Sequence, residues 1–297
     1  MNSSFRVKPV EFLSEETICR GDLYLPSGVE RPAVVIMAFG FAGERTFRLP
    51  AYAQHFAKND LAVFLFDYRC FGDSEGEPRN YVDPRRHLAD WSEAIDHVRS
   101  LTNVDGQRIA LWGTSFSGGH VIVSASKTSG VRAIVVQVPF VDSITTLQKL
   151  GLRYLLNASA HGIQDFYRII TRGEPHYIKV VSRPGEFAVL DTPDSYEGYH
   201  AIIPTESTWK NRCPARIAFK FPFYRPIKAA AKVKCPALVM LAEYDSLINP
   251  KAVERTAARM PKSDLVRYPL GHFDIYLGEN FDRAVNHQTE FLLRELQ

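Results

Sequence analysis

Five short, almost continuous apolar runs constrain this chain most: residues 33–39, 61–66, 108–112, 131–138 and 237–241. Each has the length of a strand and none alternates apolar with polar residues, so each suits a strand buried on both faces. Segments with helical spacing lie between the runs, such as Leu88, Trp91, Ile95 and Val98 in the stretch that starts at Asp83-Pro84. There Asp83 is placed to cap a helix and Pro84 to occupy its first position. Strand alternating with helix implies a mostly parallel, doubly wound sheet covered on both sides. Residues 5–12 and 17–25 do alternate and lead into the turn Pro26-Ser27-Gly28, which predicts a starting pair of antiparallel strands.

One gap breaks this rhythm. From residue 138 to residue 237 the chain is far longer than the about 30 residues that a crossover needs. The expected organisation is therefore a core of residues 1–139 and 231–297, with residues 140–230 inserted as a cap. Helical patterns at 147–156 and 164–170, and aromatics such as Tyr154, Phe166, Tyr199 and Trp209, predict a mostly helical cap. Its place is over the carboxyl ends of the strands, where open α/β sheets bind ligands.

With 36 basic and 33 acidic residues mixed along the chain, no field is strong enough to imply a nucleic-acid partner. Cys19, Cys70, Cys213 and Cys235 are scattered, without C-x-x-C or metal-ligand spacing, and read as free thiols. The N-terminal residues 1–8 lack the apolar region of a secretory signal, and no apolar stretch is long enough to span a bilayer. The expected location is cytoplasmic. The oligomeric state is left open, with a homodimer among the options.

The chemistry centres on Trp112-Gly113-Thr114-Ser115-Phe116-Ser117-Gly118-Gly119-His120, in which a buried strand passes through a tight turn into a helix. This segment resembles the G-x-S-x-G nucleophile elbow of the α/β-hydrolase superfamily, whose serine sits on a strained turn that tolerates only small flanks. Ser117 stands where the pattern has its last glycine. The competing reading of Ser115 is a helix-capping serine.

A serine hydroxyl needs a base to take its proton, and the superfamily orders its triad Ser, Asp, His. Asp245 and His272 follow strand-like segments late in the chain, and the resemblance implies that they are the acid and the base. Asp142, which also follows a strand, is the alternative acid. His120 lies near the elbow but points away from Ser115 by helical spacing. The stretch Phe39-Gly40-Phe41-Ala42-Gly43 is similar to the superfamily's oxyanion loop, which implies the backbone N–H groups of Phe41 and Phe116 as oxyanion donors. Asp67-Tyr68-Arg69-Cys70-Phe71-Gly72-Asp73-Ser74-Glu75-Gly76 resembles the D-x-R-G-x-G-x-S-x-G loop of many members, with a structural acid and structural glycines.

The resemblance implies an α/β-hydrolase fold with an inserted helical cap, similar to dienelactone-hydrolase-like and X-Pro-peptidase-like members. It further implies a serine hydrolase that cleaves small, apolar carboxylic esters or thioesters with no metal or organic cofactor. An acyltransferase using the same acyl-enzyme is the first alternative. A non-catalytic ligand-binding module is the second.

Overall fold

The computed structural model describes residues 4–297, so residues 1–3 of the N-terminal stretch lie outside the described residues. The chain opens with β1 (Phe5–Ser14), β2 (Thr17–Pro26), β3 (Ala33–Ala38), α1 (Leu49–Lys58), β4 (Ala62–Phe66), α2 (Pro84–Ser100), β5 (Asp105–Thr114), α3 (Phe116–Lys127) and β6 (Val131–Gln137). An insertion follows: α4 (Ser143–Leu147), α5 (Leu152–Ile170), β7 (Tyr177–Val181), β8 (Ala188–Leu190), α6 (Ser195–His200), β9 (Cys213–Pro214) and α7 (Ile217–Lys220). The chain then returns through β10 (Ala237–Ala242), α8 (Pro250–Ala257), β11 (Ser263–Tyr268) and α9 (Gly278–Leu296).

Eight strands form one sheet in the order β1-β2-β4-β3-β5-β6-β10-β11. The pairs β1/β2 and β2/β4 are antiparallel, and every pair from β4 to β11 is parallel. Every residue of β3, β4 and β10 is buried, as their unbroken apolar sequences require. Helix α1 packs with α9, and α2 with α3, against the sheet. Helix α2 starts as its sequence dictates, with Pro84 at the first position and the Asp83 carboxylate accepting the Arg85 N–H at 2.9 Å.

The insertion departs from the mostly helical expectation in two ways. It contains a small sheet, β8-β7-β9, whose strands are too short to show a period in the sequence. The helical pattern at 147–156 is also interrupted: α4 stops at Leu147, Gly151 adopts an extended conformation as the N-cap of α5, and α5 then runs unbroken through the segment 164–170. All four cysteines are free.

Candidate active site

The elbow is built by steric necessity. Ser115 sits between β5 and α3 with φ 53° and ψ −121°, a positive-φ conformation that costs a non-glycine residue on the order of 1–3 kcal/mol. A Cβ on Gly113 would lie 2.5 Å from the Ser117 carbonyl oxygen, and one on Gly119 would lie 2.5 Å from the Phe140 carbonyl oxygen. Only glycine lets the strand, the turn and the helix approach this closely. The departure at Ser117 has a local reason. Its hydroxyl is 2.9 Å from the Tyr68 hydroxyl, which also accepts the Trp91 Nε1–H at 2.9 Å, so the side chain is drawn into the core and away from the turn.

Strand ends bring the other groups to Ser115. Asp245 follows β10 and His272 follows β11, strands adjacent in the sheet. His272 Nε2 lies 3.1 Å from Ser115 Oγ, and His272 Nδ1 lies 2.7 Å from Asp245 Oδ2. The second carboxylate oxygen, Oδ1, accepts the N–H groups of Leu247 at 2.9 Å and Ile248 at 2.7 Å, which fixes the carboxylate plane. Both Asp245 and His272 are buried. Asp142 is elsewhere engaged: it caps α4 and holds Arg225 through two contacts, at 2.7 and 3.2 Å.

The loop after β3 is pressed onto the elbow. A Cβ on Gly40 would fall 2.9 Å from Ser115 Cβ and 3.0 Å from the Thr114 carbonyl oxygen, so glycine is what permits the contact. The rings of Phe41 and Phe116 meet edge to face with centroids 5.4 Å apart. Phe116 is the first residue of α3, where a helix leaves its N–H without an intrahelical partner. The Phe41 carbonyl accepts the Tyr199 hydroxyl at 2.8 Å, and the nearby Ala42 carbonyl accepts Trp209 Nε1–H at 2.9 Å, so the insertion anchors this loop. From the other side the buried Asp67 accepts the Arg45 N–H at 2.6 Å and pairs with the Arg45 guanidinium. Gly72, at φ 49°, leaves room for that carboxylate, since a Cβ there would lie 2.2 Å from it.

A cavity of about 470 Å³ opens above Ser115. Its wall is mainly apolar, with Phe41 and Phe116 from the core and Tyr154, Ala158, Ile178 and Phe187 among the residues from the insertion. Asp191 also lines it, and burial raises the pKa of its carboxyl. Among the described residues, no group of three or more His, Cys, Asp or Glu side chains is arranged to hold a metal ion. No helix among them is long and apolar enough to cross a membrane.

Sequence reasoning missed a polar network behind helix α3. His120 Nδ1 lies 2.5 Å from the Tyr224 hydroxyl and His120 Nε2 lies 3.3 Å from His87 Nδ1, while the His87 ring stacks on Tyr68 at 4.1 Å. Burial lowers both histidines, His87 to about 3 and His120 well below the ordinary range. The partners come from three distant segments, and no spacing in the sequence links them. The one legible part was that His120 turns away from Ser115.

Residues 38–285 match the Alpha/beta hydrolase family, and the chain belongs to it. It is 34% identical over 285 residues to the quorum-quenching protein AidA of Acinetobacter baumannii (strain MDR-ZJ06), an alignment covering 96% of this chain and 94% of that protein. It is also 28% identical over 286 residues to polyketide transferase af380 of Aspergillus fumigatus (strain ATCC MYA-4609 / CBS 101355 / FGSC A1100 / Af293), covering 94% of each. Among solved structures, the alpha/beta hydrolase GrgF from Penicillium sp. sh18 superimposes with a TM-score of 0.83 at 24% identity, over 98% of this chain and 99% of that one. That likeness is one of fold.

Proposed function

We propose that the protein is a serine hydrolase that cleaves carboxylic ester or thioester bonds of small, apolar substrates through an acyl-enzyme on Ser115. The observation that carries this reading is the hydrogen-bonded series Ser115, His272 and Asp245 at the floor of an apolar cavity. In this mechanism Ser115 Oγ attacks the carbonyl carbon as its proton passes to His272 Nε2. The imidazolium so formed is stabilised by Asp245 at Nδ1. The negative oxygen of the tetrahedral intermediate accepts the N–H groups of Phe41 and Phe116. Collapse breaks the bond to the leaving group, which takes the proton from His272, and leaves an ester on Ser115. Water, losing a proton to His272, then attacks that ester and releases the acid and the free serine.

Residues 140–230 serve as the cap that supplies the outer wall of the acyl site, and the chemistry calls for no cofactor. The free thiols at Cys19, Cys70, Cys213 and Cys235 support a reducing, cytoplasmic setting. The hydrogen-bond reach from Ser115 Oγ to a histidine that a buried carboxylate orients argues against a purely ligand-binding role, which needs no such series.

A second reading, acyl transfer to an acceptor other than water, is favoured by the likeness to a polyketide transferase along nearly the whole chain. Product analysis with a panel of p-nitrophenyl esters, with and without added alcohol, tests both. Free acid as the main product supports hydrolysis, transesterified product supports transfer, and no turnover of any ester in the panel contradicts the acyl-enzyme reading.

A further inference from the structure

Helix α5 carries seven large apolar side chains that face solvent, and six of them, Leu152, Leu156, Ile163, Phe166, Tyr167 and Ile170, are each between 56% and 73% exposed. At 100° per residue these six fall within one stripe about 100° wide. No charged residue interrupts it. Elsewhere on the helix Gly162 and Asp165 are buried, Tyr154 and Ala158 line the cavity from the far side, and Leu155 and Ser159 line it where the stripe borders the cavity. None of the six large side chains lines the cavity, so they form an additional surface beside it, and an apolar patch of this size is often functional.

We infer that this stripe is the interface of a twofold homodimer, in which α5 packs antiparallel against α5 of a second copy. The spacing of the side chains selects that occupant. Read from either end, the stripe is nearly the same: Leu152 mirrors Ile170, Leu156 mirrors Phe166, and Ser159 mirrors Ile163 about a centre at residue 161. A twofold axis through the middle of the helix thus sets Leu152 against Ile170 and Leu156 against Phe166 of the second copy, and lets Ile163 seat over the small Ser159, the self-complementarity that an isologous contact requires. Ser159 and Ala160, both small and exposed, lie near the centre and let the two backbones approach.

The area fits as well. Four aliphatic and two aromatic side chains at this exposure offer on the order of 500 Å² of apolar surface per copy. At the roughly 65% apolar content of homodimer interfaces, this corresponds to about 800 Å² per partner, the size of a standard stable interface. Because the far face of α5 forms a wall of the cavity, the second copy braces that wall from outside.

Light scattering coupled to size exclusion tests the inference on the full chain at micromolar concentration. The expected result is twice the chain mass for the wild type and for the off-stripe control Asn157→Glu, and a single chain mass for Leu156→Glu combined with Phe166→Glu. The milder pair Leu156→Ala and Phe166→Ala should shift the dissociation constant upward by at least tenfold. A monomeric wild type, or a double-glutamate variant that keeps twice the mass, overturns the inference. So does a wild type that stays monomeric but sediments with phosphatidylglycerol-containing vesicles, which would make the stripe a lipid-facing surface.

Discussion

The hydroxyl of Tyr276 bonds Thr114 Oγ1, tying the segment just after His272 to the residue just before Ser115. The same segment is held from below, where Tyr52 donates to the Ile275 carbonyl at 3.1 Å and Arg48 to the Tyr276 carbonyl at 3.0 Å. The 3.1 Å approach of His272 to Ser115 therefore rests on buried bonds to the core, on both sides of the contact. Preorganisation of this kind is what a base needs if its geometry is to be ready before substrate arrives.

The two candidate acids separate cleanly by what they touch. Asp245→Asn should lower kcat by about 10⁴ while leaving the thermal midpoint nearly unchanged, because the amide no longer stabilises the imidazolium. Asp142→Asn keeps an oxygen to cap α4 but removes the charge that pairs with Arg225, so it should cost about 1–2 kcal/mol of stability and little activity. Steady-state kinetics and urea denaturation of both variants check this. A reversal of the two effects would move the acid to the other loop.

Much of this was legible in the sequence because it depends on local rules. The almost continuous apolar runs pointed to buried parallel strands, and the resemblance carried by the small residues around Ser115 pointed to the elbow. The Ser115, Asp245 and His272 assignments came from the resemblance to the superfamily, whose Ser, Asp, His order they match after strand-like segments, while Asp142 stood open as the alternative acid. The insertion was read less well, since β8 and β9 have three and two residues and carry no period, and a glycine N-cap at Gly151 split what looked like one helical pattern. The contacts of His87, His120 and Tyr224 were not legible at all, because each depends on how distant elements pack.

The elbow glycine carries a sharp packing prediction. Gly113→Ala places a methyl 2.5 Å from the Ser117 carbonyl oxygen, a backbone atom that cannot rotate away, and should destabilise by about 1–3 kcal/mol or more with loss of activity. Gly151→Ala meets nothing within 4 Å and should stay within about 1 kcal/mol of wild type. Equal effects in a denaturation experiment would contradict the close approach.

The buried histidines make stability depend on pH. His87 is held at about 3 in the folded protein, so below the ordinary histidine pKa of about 6.5 the unfolded chain binds the extra proton. Stability from this group is therefore complete above that value and is lost as pH falls toward the folded one. Glu44, raised to about 7 chiefly by burial, acts in the opposite sense, so the informative quantity is a difference between two proteins. Between pH 6 and 5 the wild type should lose about 1 kcal/mol more than His87→Gln, a proton's linkage over one pH unit. A difference that does not change with pH would show that His87 takes no part.

If the acyl group occupies the cavity, a bulky side chain there must discriminate by chain length. Ala158→Trp, on the cavity face of α5, should lower kcat/KM for p-nitrophenyl octanoate at least about 10-fold relative to the acetate ester. Equal loss on both esters would indicate that the acyl chain lies elsewhere.

The central claim is that Ser115 forms the covalent intermediate, and intact-mass analysis after treatment with a fluorophosphonate addresses it directly. The account predicts one phosphonyl group per chain, mapped by peptide analysis to Ser115, with no adduct on Ser115→Ala that retains its fold. An adduct on another residue, or an unchanged adduct on Ser115→Ala, would contradict it.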